Sequence, residues 1–318
     1  MKPERRAVID VGTNSIKLLV AEVSGGEVRP LLEESRQTRL GQGFYQTHEL
    51  QAERIAQTAE AVAQFVTRAR EYEAVSVRVI ATSAAREATN SLQLVAAIRQ
   101  AGGLKVEVIS GEEEAGLAFR GIGTDPQLAG KPLLQLEVGG GSTQFILGHN
   151  KAPTYLQSFR LGSVRLLEKL PHSDPPKPAE LAACRSLLDE FLAREVRPVL
   201  QPQLERKAEL SGDSSPRQLV GTGGTASILG CMEAKLDHFD RPALEAVRLS
   251  FERVQHQVEV LWSLTLERRR DIVGLPRNRA DVILTGSAIF EAVMRQFAFR
   301  ALRISTRGLR FGAVLPPP

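Results

Sequence analysis

Short apolar blocks open the chain and set its first elements. Ala7–Asp10 and Ser15–Val23 read as strands on either side of the loop DVGTNS, and residues 27–36 as a third strand. Leu50–Tyr72 has helical spacing, and Val75–Ala81 alternates as a buried strand. Ser91–Ala101 is a helix with Asn90 as its N-cap. Lys105–Ile109 is a strand and Glu112–Arg120 a helix. The turn-rich run IGTDPQLAGK, residues 122–131, then interrupts the pattern and marks a domain boundary.

Beyond it the pattern restarts. Pro132–Glu137, Gln144–Leu147 and Pro153–Phe159 read as three strands, followed by helices at 162–169 and 177–196. Residues 197–217, rich in proline and charge, read as a helix end and a loop. Gln218–Val220 is a strand leading into GTGGTAS. Helices are expected at 224–234, 250–264 and 280–297, then a strand at Leu302–Ser305 and a helix at 308–315. The two halves share a plan. AVIDVGTNSIKLLV and LQLEVGGGSTQFIL each run apolar strand, carboxylate, one residue, glycine, small polar loop, apolar strand. This is a weak internal repeat at domain scale, and two related halves imply a cleft between them.

Composition narrows the class. A chain of 318 residues, 42% hydrophobic and 25% charged, suits a globular protein of two domains, because single cores tend to split beyond roughly 250 residues. A net charge of +4 does not identify a nucleic-acid binder and is compatible with a phosphorylated ligand. The densest basic run, ERRR at 267–270, reads as a solvated helix face. Cys184 and Cys231 are far apart, show no zinc spacing, and read as reduced thiols. The N-terminus passes from charges straight into a strand, and no 18-residue apolar run occurs, so the expected location is cytoplasmic.

The glycine loops carry the candidate chemistry. In a dinucleotide-binding motif, glycines lead from a strand into a helix. Here SIKLLV and TQFIL follow, so a second strand and a hairpin are expected, with glycine supplying positive φ at the tip. Three adjacent glycines at 139–141 also expose a stretch of backbone N–H groups, to which Ser142 and Thr143 add hydroxyls. Such a concavity suits an anion. Either loop alone could be an ordinary hairpin; the matched pair, each led by a carboxylate (Asp10, Glu137), points to a divalent cation among phosphate oxygens. A third loop, residues 221–227, opens a helix and offers its N-terminal N–H groups to an anion. Glu112, Glu113 and Glu114 stand at a helix start, where carboxylates favour the helix dipole whatever else they do.

Taken together, AVIDVGTNSIKLLV, RLGQG, ATSAAREATN, VISGEEEA, EVGGGST, SFRLGSVRL, GTGGTAS, RADVILTGSAI and STRGLRFG, in order from residue 7 to 312, resemble the exopolyphosphatase/guanosine pentaphosphatase (Ppx/GppA) family, in its short two-domain form. The resemblance implies an α/β actin-like (RNase H-like) fold of two domains with an interdomain cleft. Its expected division is residues 1–122 plus 300–318 in domain I and 123–299 in domain II. It implies an exopolyphosphatase that releases terminal phosphate from inorganic polyphosphate, with pppGpp as the alternative substrate. A non-catalytic polyphosphate or alarmone binder and another actin-like enzyme remain competing readings. Neither nucleic acid nor membrane is an expected partner, and a homodimer is a family expectation.

The family's motifs assign roles by position. Glu114 is the expected base, with Glu113 supporting or orienting it. Gly12, Thr13, Asn14 and Ser15 of the first loop, and Gly139, Gly140, Gly141, Ser142 and Thr143 of the second, are expected on the terminal phosphates. Gly223, Gly224 and Thr225 of the third loop join them, with Arg86 and Arg279 as basic groups. Asp10, Glu137 and Gln144 are the expected holders of Mg²⁺ or Mn²⁺. Two positions depart from the usual DIGGGSTE: Glu137 is one methylene longer than aspartate, and Gln144 lacks a charge, which should weaken the cation site. The five histidines are scattered and read as surface residues.

Overall fold

The computed structural model describes residues 2–149, 152–210 and 218–317. The first sheet comprises β1 (Glu4–Val11), β2 (Ser15–Ser24), β3 (Glu27–Gln37), β4 (Ser76–Ala81) and β5 (Val106–Val108), in the order β3-β2-β1-β4-β5. β1, β2 and β3 form an antiparallel meander, and β4 and β5 run parallel to β1. The second sheet comprises β6 (Leu133–Val138), β7 (Thr143–His149), β8 (Ala152–Phe159), β9 (Gln218–Thr222), β10 (Arg248–Ser250) and β11 (Ala301–Ile304). Its order, β10-β11-β9-β6-β7-β8, repeats the same wiring with β10 added at one edge. This duplication is the α/β actin-like fold that the sequence motifs imply.

Each sheet is buried by helices. Ala52–Glu71 turns Ile55, Val62, Phe65 and Val66 onto the first sheet beside Ser91–Gly102. Gly223–Ala234, Phe251–Ser263 and Ile283–Gln296 bury the second, around Phe145, Trp262 and Phe290.

Several expectations are corrected. The helix Pro178–Phe191 does not end near 196; it continues through a π turn, Leu192–Val196, into Arg197–Leu210, despite Pro202. Leu188, Leu192, Val196 and Leu200 are all fully buried at four-residue intervals, and this stripe outweighs the missing proline N–H. The expected loop's remainder, 211–217, lies outside the described residues. Asn90 does not cap its helix. Its amide is engaged by the Leu50 backbone on both sides, Oδ1 accepting from Leu50 N and Nδ2 donating to Leu50 O, each at 2.9 Å.

The expected boundary at 300 also moves. β11 pairs parallel with β9, so 301–304 belongs to the second sheet. The chain returns afterwards, through the helix Leu309–Ala313, whose Leu309 and Phe311 pack with Val8, Leu19 and Ile80 of the first sheet. The helix Gly111–Ile122, expected in the first domain, docks Ala115, Ala118 and Phe119 against Leu133, Ile146 and Val220 of the second sheet. These two helices cross between the sheets. A Cβ at Gly121 would overlap the Gly308 carbonyl, and one at Gly312 the Leu117 carbonyl.

Candidate active site

The two glycine hairpins face each other across a cavity of about 80 Å³. In the first, Gly12 N donates to Ser15 O at 3.1 Å; in the second, Gly139 N donates to Ser142 O at 2.9 Å. Register places Asp10 opposite Lys17 in one hairpin and Glu137 opposite Gln144 in the other. The internal repeat is therefore a repeat of site geometry. The tip glycines are needed for a different reason from the one expected. None of residues 12 or 139–141 has positive φ. A Cβ at Gly140 would come within 2.9 Å of Thr13 Cβ, and one at Gly141 would overlap the Tyr45 hydroxyl and Ser83. Gly140 and Gly141 lack side chains because the loops approach each other across the cleft, whereas a Cβ at Gly12 or Gly139 would crowd the Ser15 or Ser142 carbonyl of its own hairpin. Only in the third loop does a glycine need left-handed backbone, Gly223 at φ +84°.

All the site residues expected from sequence line this cavity except Thr143, Arg86 and Glu113. Strand alternation explains Thr143: Ser142 and Gln144 face the cavity, while Thr143 points the other way and donates to Leu161 O at 2.6 Å. Glu113 is occupied in capping. Ser110 Oγ accepts from Glu113 N, and the Glu113 carboxylate accepts from Ser110 N at 2.8 Å. Exposed and so engaged, it does not reach the cavity. Arg86 reaches Glu114 rather than the loops, with Nη1 at 3.1 Å from Glu114 Oε2 and 2.8 Å from Ile109 O.

Glu114 follows the capping residues by one position, which turns it inward. Burial pushes its carboxyl up to about 8; Arg86 opposes the rise, and nearby Glu137 and Asp10 add to it. Burial also raises Asp10 and Glu137 above the usual carboxylate range, opposed first in each case by Lys17. Glu137 Oε2 accepts from Thr222 Oγ1 at 2.9 Å. Burial lowers Lys17, with Asp10 opposing, and lowers Arg279 to about 10. Lys17 escaped the sequence reading. The signal was available: in a tight hairpin led by Asp10, position 17 is the cross-strand partner and must face the same way. The cavity's polar lining is incompletely paired within the protein. Asn14 Nδ2 and Ser15 Oγ are buried without a hydrogen-bond partner.

The role of RLGQG was also missed. Arg39 N donates to Asn14 O at 3.0 Å and Gly41 N to Thr13 O at 2.7 Å, which shapes the first loop from behind. Arg39 then crosses the cleft to Asp281 at 2.7 Å, and Glu168 accepts from Gly43 N at 2.6 Å. A second, larger cavity of about 520 Å³ adjoins the first. The two share Asp10, Lys17, Glu137, Gly223, Gly224 and Arg279, and Ile228, Phe239, Leu275 and Phe311 give the larger one apolar walls.

The metal expectation can be weighed on this donor set. Among the described residues no group of three His, Cys, Asp or Glu side chains forms a metal cage. Asp10 and Glu137 are hard oxygen donors, and Gln144, which also lines the cavity, adds an amide oxygen while its Nε2 donates to Ser142 Oγ and Ser158 Oγ at 2.9 and 3.1 Å. Such a set fits a hard divalent cation that takes its other ligands from substrate and water.

Comparison with known proteins settles the lineage. The family model of the Ppx/GppA phosphatase family matches residues 19–316. The chain belongs to this family. Among Ppx/GppA relatives, Exopolyphosphatase 2 of Mycobacterium tuberculosis is 34% identical over 307 residues, covering 93% of this chain and 92% of that protein. A guanosine-5'-triphosphate,3'-diphosphate pyrophosphatase of Vibrio cholerae is 29% identical over 308 residues, covering 97% of this chain but 58% of that longer protein. The crystal structure of an exopolyphosphatase from Cytophaga hutchinsonii superposes with a TM-score of 0.84 at 26% identity, over 97% of this chain and 96% of that one. Among the described residues no helix is long and apolar enough to cross a membrane.

Proposed function

We propose that this Ppx/GppA protein is an exopolyphosphatase that hydrolyses the terminal anhydride bond of inorganic polyphosphate. The observation that carries the reading is one buried carboxylate, Glu114, facing two opposed phosphate-sized loops across a cavity. Backbone N–H groups of both hairpins, the N-terminus of the helix Gly223–Ala234, Lys17 and Arg279 hold the terminal phosphates and take up charge as the bond breaks. Glu114 accepts a proton from the attacking water, and Arg86 holds the carboxylate in place and favours its charged form. Phosphoryl transfer has little covalent chemistry for protein groups to perform, so positioning and charge supply most of the rate. Asp10, Glu137 and Gln144 would hold a Mg²⁺ or Mn²⁺ ion, which when bound supplies charge neutralisation at the phosphate oxygens. No covalent enzyme intermediate is required.

The larger cavity favours a second reading. Polyphosphate has no apolar portion, whereas a nucleoside carrying a phosphate chain, such as pppGpp, could place its base against Phe239 and Leu275. Phosphate release from long-chain polyphosphate, pppGpp and ATP, each with Mg²⁺, Mn²⁺ or EDTA, tests both. Metal-dependent release from polyphosphate supports the first reading, and a clear preference for pppGpp the second. No release from folded protein would leave a binding role. Glu114→Gln should lower release by roughly 10²–10⁴-fold with binding largely kept, and retained activity would remove Glu114 as the base.

A further inference from the structure

One half-buried arginine beside the site has no part in the mechanism above. Arg165 lies on the helix Ser163–Lys169, in the second half of the molecule. Its Nε donates to the Gly141 carbonyl at 2.8 Å, from behind the second phosphate loop. Its Nη2 donates to both carboxylate oxygens of Glu87, at 2.7 and 2.9 Å. Its guanidinium lies 4.2 Å from the centre of the Tyr45 ring. Glu87 and Tyr45 belong to the first half, so this one side chain ties a phosphate loop of one half to two residues of the other. The pair is shielded, with Arg165 and Glu87 side chains 20% and 16% exposed, unlike an ordinary surface ion pair. Glu87 is itself fixed, accepting from Ser83 Oγ at 2.9 Å.

The consequence lies in the peptide plane. The Gly141 carbonyl and the Ser142 N–H share one planar, trans peptide, so they point in opposite directions. Holding the carbonyl from behind sends the N–H toward the side on which Ser142 lines the cavity. We propose that Arg165 is a positioning residue: it aims the Ser142 N–H at the phosphate site, and does so only while Glu87 and Tyr45 brace it, that is, while the cleft is closed. Opening the cleft removes the brace. The Arg165 side chain then keeps only a neutral carbonyl as partner, and the Gly141–Ser142 peptide loses its brace while Gly139 and Gly140 stay held by the backbone N–H groups of residues 163–165. Closure thereby assembles the phosphate site as well as excluding water from it.

The inference rests, for its kinetic readout, on the phosphatase reading. Arg165→Met, Arg165→Lys, Glu87→Gln and the double variant Arg165→Met/Glu87→Gln would be compared on polyphosphate, with thermal melting as the folding control. Arg165→Met should lower kcat by roughly 10–10²-fold, the usual effect of a small misplacement at a reacting group, with a smaller rise in KM. Glu87→Gln should lower kcat in the same sense, and the double variant should be no worse than Arg165→Met, because the two act as one unit. Arg165→Lys keeps a charge opposite Glu87 but cannot fork to both partners, so melting should recover and kcat should not. An unchanged kcat in Arg165→Met, a double variant whose loss is the product of the singles, or full recovery by lysine would each overturn the proposal. If the wild-type protein releases no phosphate, the functional reading fails instead, and calorimetric titration with tripolyphosphate carries the test. Weaker binding in both singles without further loss in the double supports the brace, and unchanged affinity overturns it.

Discussion

A single carboxylate sets the pH behaviour expected of this site. Glu114 is raised to about 8 chiefly by burial, so its basic form accumulates as pH rises, and the activity should rise with it. Arg86 opposes that shift. Arg86→Met should therefore move the acid limb of the kcat–pH profile to higher pH, and a limb that stays in place would separate Arg86 from the group that titrates. The same burial has a stability cost. Between the ordinary value of 4.5 and about 8, the folded protein holds a proton that the unfolded chain releases, so this group's contribution weakens as pH rises through that window. Glu114→Gln removes that dependence, and without ligand its melting temperature should exceed that of the wild type at pH 8 while matching it near pH 4.5. Gln144 bears on the cation. Both of its hydroxyl partners, Ser142 and Ser158, can rotate to donate instead of accept. Gln144→Glu should then fit and raise the apparent affinity for Mg²⁺ in the polyphosphate assay.

At the scale of elements, the decisive feature is the crossing of Gly111–Ile122 with Leu309–Ala313. The helix that carries Glu114 is packed on the second sheet by Ala115, Ala118 and Phe119, and pinned from the other side by a helix that belongs to the first core. Gly312→Ala would force the two backbones apart. It should cost about 1–3 kcal/mol, as overpacking does elsewhere, read as a lower urea midpoint. Activity should fall by more than the folded fraction falls, because Glu114 moves with its helix. Both helices were legible in the sequence, yet the sheet to which each docks was not. Periodicity shows that a face is buried and gives no partner. The stripe Leu188–Leu200 was legible at four-residue spacing, but local proline chemistry masked it.

For the whole molecule, the contacts that span the cleft should couple ligand binding to closure if the proposed phosphate site is right. Arg39–Asp281, Glu168 with the Gly43 N–H, and Arg165–Glu87 all join the two halves in this arrangement. A ligand that binds the closed form alone stabilises it by mass action, by about 2.7 kcal/mol at a concentration of 100 times its Kd. Tripolyphosphate should accordingly raise the melting temperature of Glu114→Gln, in which the ligand is not turned over, and Arg39→Ala should reduce that shift. An equal shift in Arg39→Ala would show that the bridge has no part in closure.

The sequence by itself determined the repeated strand–loop–strand plan, the carboxylate leading each loop and the helix that carries Glu114, because each is written in local spacing, and its motifs resembled the family to which the chain belongs. Only the tertiary structure decided which of those residues meet. Thr143 turns away because strand alternation is fixed by pairing with neighbouring strands. Glu113 is taken by Ser110, and Arg86 by Glu114. Lys17 and Arg165 enter through contacts whose partners are remote in sequence or across a strand pair. Even Gly140 and Gly141 proved to answer to residues across the cleft rather than to their own turn, since close approach across a cleft is a relation between two halves and leaves no mark on either one alone.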